Sequence, residues 1–262
     1  MNLDLSGKSA IVCGSTQGLG YASAFELALM GANVTLIARD EEKLKTAVKT
    51  LTTSQKQVHD YVVADFQFTE GLSLAMDIYF NTHNKANILV NNTGGPKGGP
   101  ALSASVDEYL QAFRSHLICN QILVQKTIPF MKSSGYGRIV NIISTSVKQP
   151  IPDLGVSNTI RGAVASWSKT LAAELGPYGI TVNNVLPGFT KTSRYDYVLK
   201  NKSFQTGNSL ETIEANIISE IPMRRIGTPQ EFGAAVAFLC SPSAGYINGI
   251  NLPVDGGRLS CL

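Results

Sequence analysis

The chain has 262 residues, 44% of them hydrophobic and 16% charged, which suits a folded protein with a sizeable core and excludes a disordered one. Its net charge of +3 is spread without a block of like charges, which argues against a nucleic-acid arm or a membrane-surface patch. Cys13, Cys119, Cys240 and Cys261 form no CxxC pair and no Cys/His cluster of metal spacing, so no metal is expected and the thiols read as free in a reducing compartment rather than as a disulfide framework.

Asp4 and Lys8 interrupt any amino-terminal apolar run, and no segment reaches the ~20 apolar residues of a span, so neither signal peptide nor membrane helix is expected and the location reads as cytoplasmic. Short apolar runs then alternate with longer helical stretches. Ser9–Cys13 reads as a buried strand, followed by a glycine-rich turn and a helix over 20–30. Asn33–Ala38 is the next strand and 41–51 the next helix. Residues 61–64 and 88–91 are further strands, separated by a helix carrying Leu72, Met76 and Phe80. A long helix is expected over 106–131, a fifth strand over 137–143, a helix over 157–175 and a sixth strand over 180–186. A helix over 229–240 and a strand over 250–254 close the pattern. Near-continuous apolar strands alternating with helices predict a single α/β domain over 1–262. Its expected form is a Rossmann-type, doubly wound parallel sheet of about seven strands, with helices on both faces and a crevice at the carboxyl edge. The polar stretch 190–225 lacks a strand and reads as a substrate lid, with an ordinary surface excursion as the alternative.

Between the first strand and its helix lies Gly14-Ser15-Thr16-Gln17-Gly18-Leu19-Gly20. Glycines there permit a tight turn and close approach of backbone to a phosphate, and the following helix N-terminus attracts the anion. Dinucleotide binding is the reading of this turn. Its GxxxGxG spacing resembles the short-chain dehydrogenase/reductase family, and in particular its 3-oxoacyl-[acyl-carrier-protein] reductase-like members. Further pieces follow in the same order: Asp65-Phe66, Asn91-Asn92-Thr93-Gly94, Gly137-Arg138-Ile139-Val140-Asn141, Asn183 through Gly188, and Asp255-Gly256-Gly257.

The resemblance implies that Asp65 and Phe66 meet the adenine, that Asn92, Thr93 and Gly94 line the riboses, that Pro187 and Gly188 pass under the nicotinamide, and that Thr192 reaches its carboxamide. It also implies a homo-oligomer, tetramer or dimer, with 258–262 as an interface piece. Arg39 falls where the family places its cofactor-discriminating residue, at the end of the second strand. A guanidinium matches a 2′-phosphate bidentately, so NADP(H) is expected over NAD, with Ser15 and Thr16 as additional hydroxyl donors. The alternative is that Arg39 caps a solvated strand end and Asp40 selects the cofactor.

At the catalytic end the sequence departs from the family, which uses Asn, Ser and Tyr-x-x-x-Lys. Ser144 is retained. Counting back from Gly179 and forward from Ser144 both place Ser157 at the Tyr position and Arg161 at the Lys position, four apart on one helix face. The Asn position falls on His116. The expected constellation is therefore Ser144, Ser157, Arg161 and His116. Arg161 stays protonated and cannot relay a proton, and a serine is a far weaker acid than a phenol of pKa ~10. The expectation is that Ser144 and Ser157 bind the substrate oxygen while His116, or a water on it, supplies the proton; a structural helix histidine is the alternative. Lys148 can enter the site as a cation or lie solvated, and Pro96 to Pro100 can shape the pocket or form a plain loop. Trp167 is assigned to packing or a subunit interface. These readings converge on an NADP(H)-dependent oxidoreductase that interconverts a carbonyl and an alcohol on a small or acyl-type substrate. The rival is an NADP-binding sensor or scaffold without turnover.

Overall fold

The computed structural model describes residues 1–261. Seven strands form one fully parallel sheet: β1 (Ser9–Cys13), β2 (Asn33–Ala38), β3 (Asp60–Val63), β4 (Ile88–Asn91), β5 (Gly137–Ile142), β6 (Ile180–Pro187) and β7 (Asn251–Val254). Their spatial order is β3-β2-β1-β4-β5-β6-β7. The order reverses between β1 and β4, which opens a crevice beyond their carboxyl ends.

Residues of β1, β2, β4, β5 and β6 are buried on both faces, which explains why these runs are continuous rather than alternating. In β1, Ala10 and Val12 pack with Leu27, Leu36 and Phe232 on one side. Ile11 and Cys13 pack with Leu72, Leu89 and Leu123 on the other. Each fully buried aliphatic side chain of this kind contributes ~1.5–3 kcal/mol. The first layer is supplied by α1 (Gly18–Leu29), α2 (Glu41–Lys49) and α9 (Pro229–Cys240); α1 and α9 touch closely because a Cβ on Gly233 would lie 2.6 Å from the Ala22 carbonyl oxygen. The second layer is α3 (Thr69–Thr82), α4 (Val106–Phe113), α5 (Cys119–Ser134) and α6 (Gly155–Leu175).

The long helix expected over 106–131 is α4 and α5 joined by a π-helical turn, Arg114–Ile118. The 190–225 segment contains two helices the sequence reading lacked, α7 (Ser193–Thr206) and α8 (Leu210–Ser219). Their own small core is Tyr195, Leu199, Ile213, Ile217 and Ile221. A bridge between Thr190 and Gly227 ties the two ends of this segment to each other. Cys13, Cys119 and Cys240 are buried free thiols and Cys261 is exposed. Among the described residues there is no His/Cys/Asp/Glu cluster of metal-binding geometry, and no helix is long and apolar enough to cross a membrane. In the carboxyl-terminal segment 258–262, expected at an interface, Arg258 pairs with Glu220 (Nη2 to Oε2, 2.9 Å) and stacks on Phe189 within the chain; Leu262 lies outside the described residues.

Candidate active site

A cleft of about 880 Å³ runs along the carboxyl ends of the strands, within the range of small-molecule sites. Its floor is the glycine turn. Gly14 and Gly18 adopt positive φ of 55° and 60°, a conformation that costs glycine least. A Cβ on Gly14 would lie 2.8 Å from Asn92 Nδ2, and one on Gly20 would lie 2.3 Å from the Gly14 carbonyl oxygen. Asn92 Nδ2 ties the turn down by donating to the carbonyls of Cys13 (3.3 Å) and Gly14 (3.1 Å). The N-cap of α1, Gln17, makes no side-chain cap bond, so the first amides of that helix stay open to an anion in the cleft.

Gly14, Thr16, Gln17, Gly18, Leu19, Arg39, Asp65, Phe66, Asn92, Thr93, Gly94, Pro187, Gly188 and Thr192 all line this cleft, together with Ser144, Ser157 and Arg161. Two residues expected to meet the cofactor do not line it. Ser15 is fully buried and its hydroxyl donates to the Val12 carbonyl at 2.7 Å, so it is spent on the turn itself. Gly20 packs against Gly14 and Asn92 beneath the floor. Several lining residues had carried no expectation: Lys43, Gln67, Arg194, Tyr195 and Val198. Lys43 stands four positions after Arg39 in the first turn of α2, and its Nζ pairs with Asp40 at 3.1 Å. Asp40 is occupied further, since its Oδ1 caps α2 by accepting from the Lys43 amide. Arg39 is left exposed at the cleft edge.

The helix that carries Ser157 and Arg161 is fixed to the sheet by polar groups. Ser157, Arg161, Val164 and Ser168 form one buried stripe of α6. Ser168 Oγ donates to Asn184 Oδ1 (2.8 Å) and accepts from Asn141 Nδ2 (2.9 Å). Asn91 donates in turn to Asn141 (2.8 Å), and Asn184 to Asn251 (2.8 Å), so side-chain amides link β4, β5, β6 and β7. Arg161 is 8% exposed and its Nη1 donates to the Ile142 carbonyl at 3.0 Å, at the end of β5. Burial pushes its pKa down to about 10, which leaves it a cation at neutral pH. Ser144 Oγ accepts from the Ser146 amide at 3.0 Å. Ser157 is 9% exposed at the cleft wall.

His116 departs from expectation. It sits in the π-helical turn, 2% exposed, hydrogen-bonded through Nδ1 to the Thr93 hydroxyl, and does not line the cleft. Burial first, and the Arg161 guanidinium second, push its pKa down to about 2. A buried imidazole held neutral and turned toward Thr93 presents no charged acid to the cleft. Lys148 is also outside the cleft lining. In the 96–100 loop, the Gly99 amide donates to the Asp153 carbonyl (2.7 Å) and the Gly155 amide to the Gly99 carbonyl (3.0 Å). The loop therefore braces the start of α6, while Gly94 and Gly95 before it form cleft wall. Trp167 Nε1 donates to Gln121 Oε1 at 2.9 Å and links α6 to α5.

A parallel sheet with a glycine turn, an uncapped helix N-terminus and a polar cleft across its switch point defines a dinucleotide-binding α/β protein. The family model described as enoyl-(acyl carrier protein) reductase matches residues 14–258. The chain belongs to the short-chain dehydrogenase/reductase family and is an oxidoreductase. It is 32% identical to a tropinone reductase homolog of Arabidopsis thaliana, over 97% of this chain and 92% of that one. It is 30% identical to the 3-oxoacyl-[acyl-carrier-protein] reductase FabG of Aquifex aeolicus, over 98% and 99%. Among solved structures, L-sorbose reductase from Gluconobacter frateurii, in complex with NADPH and L-sorbose, superposes with a TM-score of 0.93 at 28% identity, covering 100% of both chains.

Proposed function

We propose that the chain is an NADPH-dependent oxidoreductase that interconverts a carbonyl and an alcohol, with Ser157 and Arg161 standing where the family uses Tyr and Lys. The observation that carries this reading is one cleft with two ends. Arg39 and the glycine turn lie at one end, and Ser144, Ser157 and Arg161 at the other. The residues suit the dinucleotide: the turn is a cradle that Cβ atoms would fill, the amides of α1 are open, and an exposed guanidinium, Arg39, stands at the cleft edge beyond β2. NADPH, when bound, supplies the hydride. Ser144 and Ser157 offer hydroxyl donors to the substrate oxygen. Arg161 holds a fixed positive charge beside them and offers ribose hydroxyls its remaining N–H groups. His116 acts through Thr93 as a positioning residue. Tyr195 lines the cleft, but its hydroxyl donates to Glu214 Oε1 at 3.0 Å; the proton therefore comes from water through the serine hydroxyls, and the hydroxide left behind returns to bulk solvent.

The test is incubation with NADPH and a ketone panel that includes L-sorbose, tropinone and a 3-oxoacyl thioester, followed at the nicotinamide absorbance. Saturable NADPH binding without oxidation across the panel would favour the sensor reading instead. Arg39→Ala is expected to weaken NADPH about 10- to 100-fold, the loss of a charge-assisted phosphate contact, and to leave NADH nearly unchanged. Equal loss for both nucleotides by calorimetric titration would remove Arg39 from cofactor choice.

The proton route predicts a pH profile. His116 stays neutral down to about pH 2 and Arg161 stays charged up to about pH 10. Single-turnover reduction should therefore be flat from pH 6 to 9. A sigmoid midpoint inside that window would reveal a titrating acid at the reacting end and overturn the water route.

A further inference from the structure

Four cations line the cleft: Arg39, Lys43, Arg161 and Arg194. Arg39 and Lys43 stand together at the end of β2, and Lys43 is already paired with Asp40. Arg161 is buried at the opposite end against β5. Arg194 differs from all three, because it belongs to the lid segment. It is the second residue of α7, after the N-cap Thr192, whose hydroxyl accepts from the Tyr195 amide. The start of α7 stands against the start of α1: a Cβ on Gly18 would lie 3.7 Å from Thr192 Cγ2. Two helix N-termini thus converge on the middle of the cleft, one from the sheet domain and one from the lid.

A guanidinium in the first turn of a helix faces the positive end of the macrodipole, an unfavourable arrangement that an anion relieves; Asp196 lies in the same turn but makes no ion pair with Arg194. Among the described residues no carboxylate pairs with Arg194; its charged group lies 5.2 Å from the Tyr197 ring centroid, on its own helix. The dinucleotide reading puts a pyrophosphate at the glycine turn, where α1 brings amides but no side-chain cation of its own.

Resting on that reading, we propose that Arg194 is a lid-borne clamp on the cofactor pyrophosphate, and that this contact seats α7 over the cleft. Tyr195 and Val198 line the same cleft from the same helix. The clamp therefore ties one wall of the substrate pocket to the bound nucleotide. Any nucleotide with a pyrophosphate engages the clamp, with or without a 2′-phosphate.

The experiment is titration of the wild-type chain, Arg194→Gln, Arg194→Lys and Arg39→Ala with NADPH, NADH and 2′-AMP, with amide hydrogen exchange read over residues 193–206. Arg194→Gln is expected to weaken NADPH and NADH by the same factor, about 10- to 100-fold, and to leave 2′-AMP, which has no pyrophosphate, unchanged. Arg194→Lys should recover part of the loss. Arg39→Ala should show the complementary pattern, weakening NADPH and 2′-AMP while sparing NADH. Protection of 193–206 by NADH should appear in the wild type and vanish in Arg194→Gln. Unchanged affinities in Arg194→Gln would overturn the clamp while leaving the nucleotide reading intact. So would a loss that includes 2′-AMP, or a change confined to the KM of a panel ketone. A wild-type chain that binds neither NADPH nor NADH would overturn both.

Discussion

Arg161→Met is expected to slow ketone reduction by about 10²–10³-fold, the usual cost of removing one preorganised electrostatic group from beside a developing oxyanion. Three features of the site support that size. The guanidinium is 8% exposed, so little water is available to replace its charge. One N–H is committed to the Ile142 carbonyl at 3.0 Å, which anchors the guanidinium at the cleft wall. Its pKa near 10 keeps it charged throughout the working range. Arg161→Lys should recover part of the rate, because the charge returns without the planar fork. The methionine variant also leaves the Ile142 carbonyl unpaired, a penalty of ~1–3 kcal/mol to stability. Urea unfolding must therefore accompany the kinetics: a lost rate with an intact fold is the expected pattern. A methionine variant that turns over like the wild type with the fastest panel ketone would mean that α6 does not present Arg161 to the reacting atoms.

The strands were readable from sequence because a parallel sheet buries both faces, and such strands appear as plain apolar runs bounded by turn residues. Counting along α6 put Ser157 and Arg161 one turn apart, and both line the cleft. Helix α9 was readable to its ends through Thr228, which caps it and forms a capping box with Glu231. Helices α7 and α8 were missed because their apolar stripes are thin. Tyr195 and Leu199 are spaced by four, as are Ile213, Ile217 and Ile221. With Thr192 and Ser209 as N-caps and Gly207 in the left-handed conformation at φ 72°, the signal was present at the caps. Arg194 was missed for the same reason: without α7 nothing placed it near the glycine turn. Ser15 and His116 turn away from the cleft for a different reason: motif spacing fixes a position in the chain but does not say which way a side chain turns. Ser15 turns into the core. At His116 the π-helical turn changes the helical register, and so changes what the imidazole faces.

That inward turn gives His116 a measurable consequence for stability rather than for proton transfer. In the unfolded chain an imidazole titrates near 6.5, whereas in the folded protein burial and Arg161 hold it down to about 2. Below pH 6.5 the unfolded chain takes up a proton that the folded chain refuses. The contribution is thus fully present above pH 6.5 and is lost as pH falls, by up to ~1.4 kcal/mol per pH unit, until the folded imidazole itself titrates. Between pH 7 and pH 4.5 this one residue should remove ~2–3 kcal/mol, a large share of a typical 5–15 kcal/mol stability. His116→Asn keeps a partner for the Thr93 hydroxyl but cannot titrate. It is expected to be somewhat less stable than the wild type at pH 7, through imperfect packing, and to lose that much less between pH 7 and 4.5. Urea midpoints of both proteins across this range give the comparison directly, and His59 and His83 cancel because both proteins contain them. Parallel curves for the two would show that His116 accepts its proton in the folded state. The buried, neutral imidazole would then be wrong, and a proton-donating role for His116 would reopen.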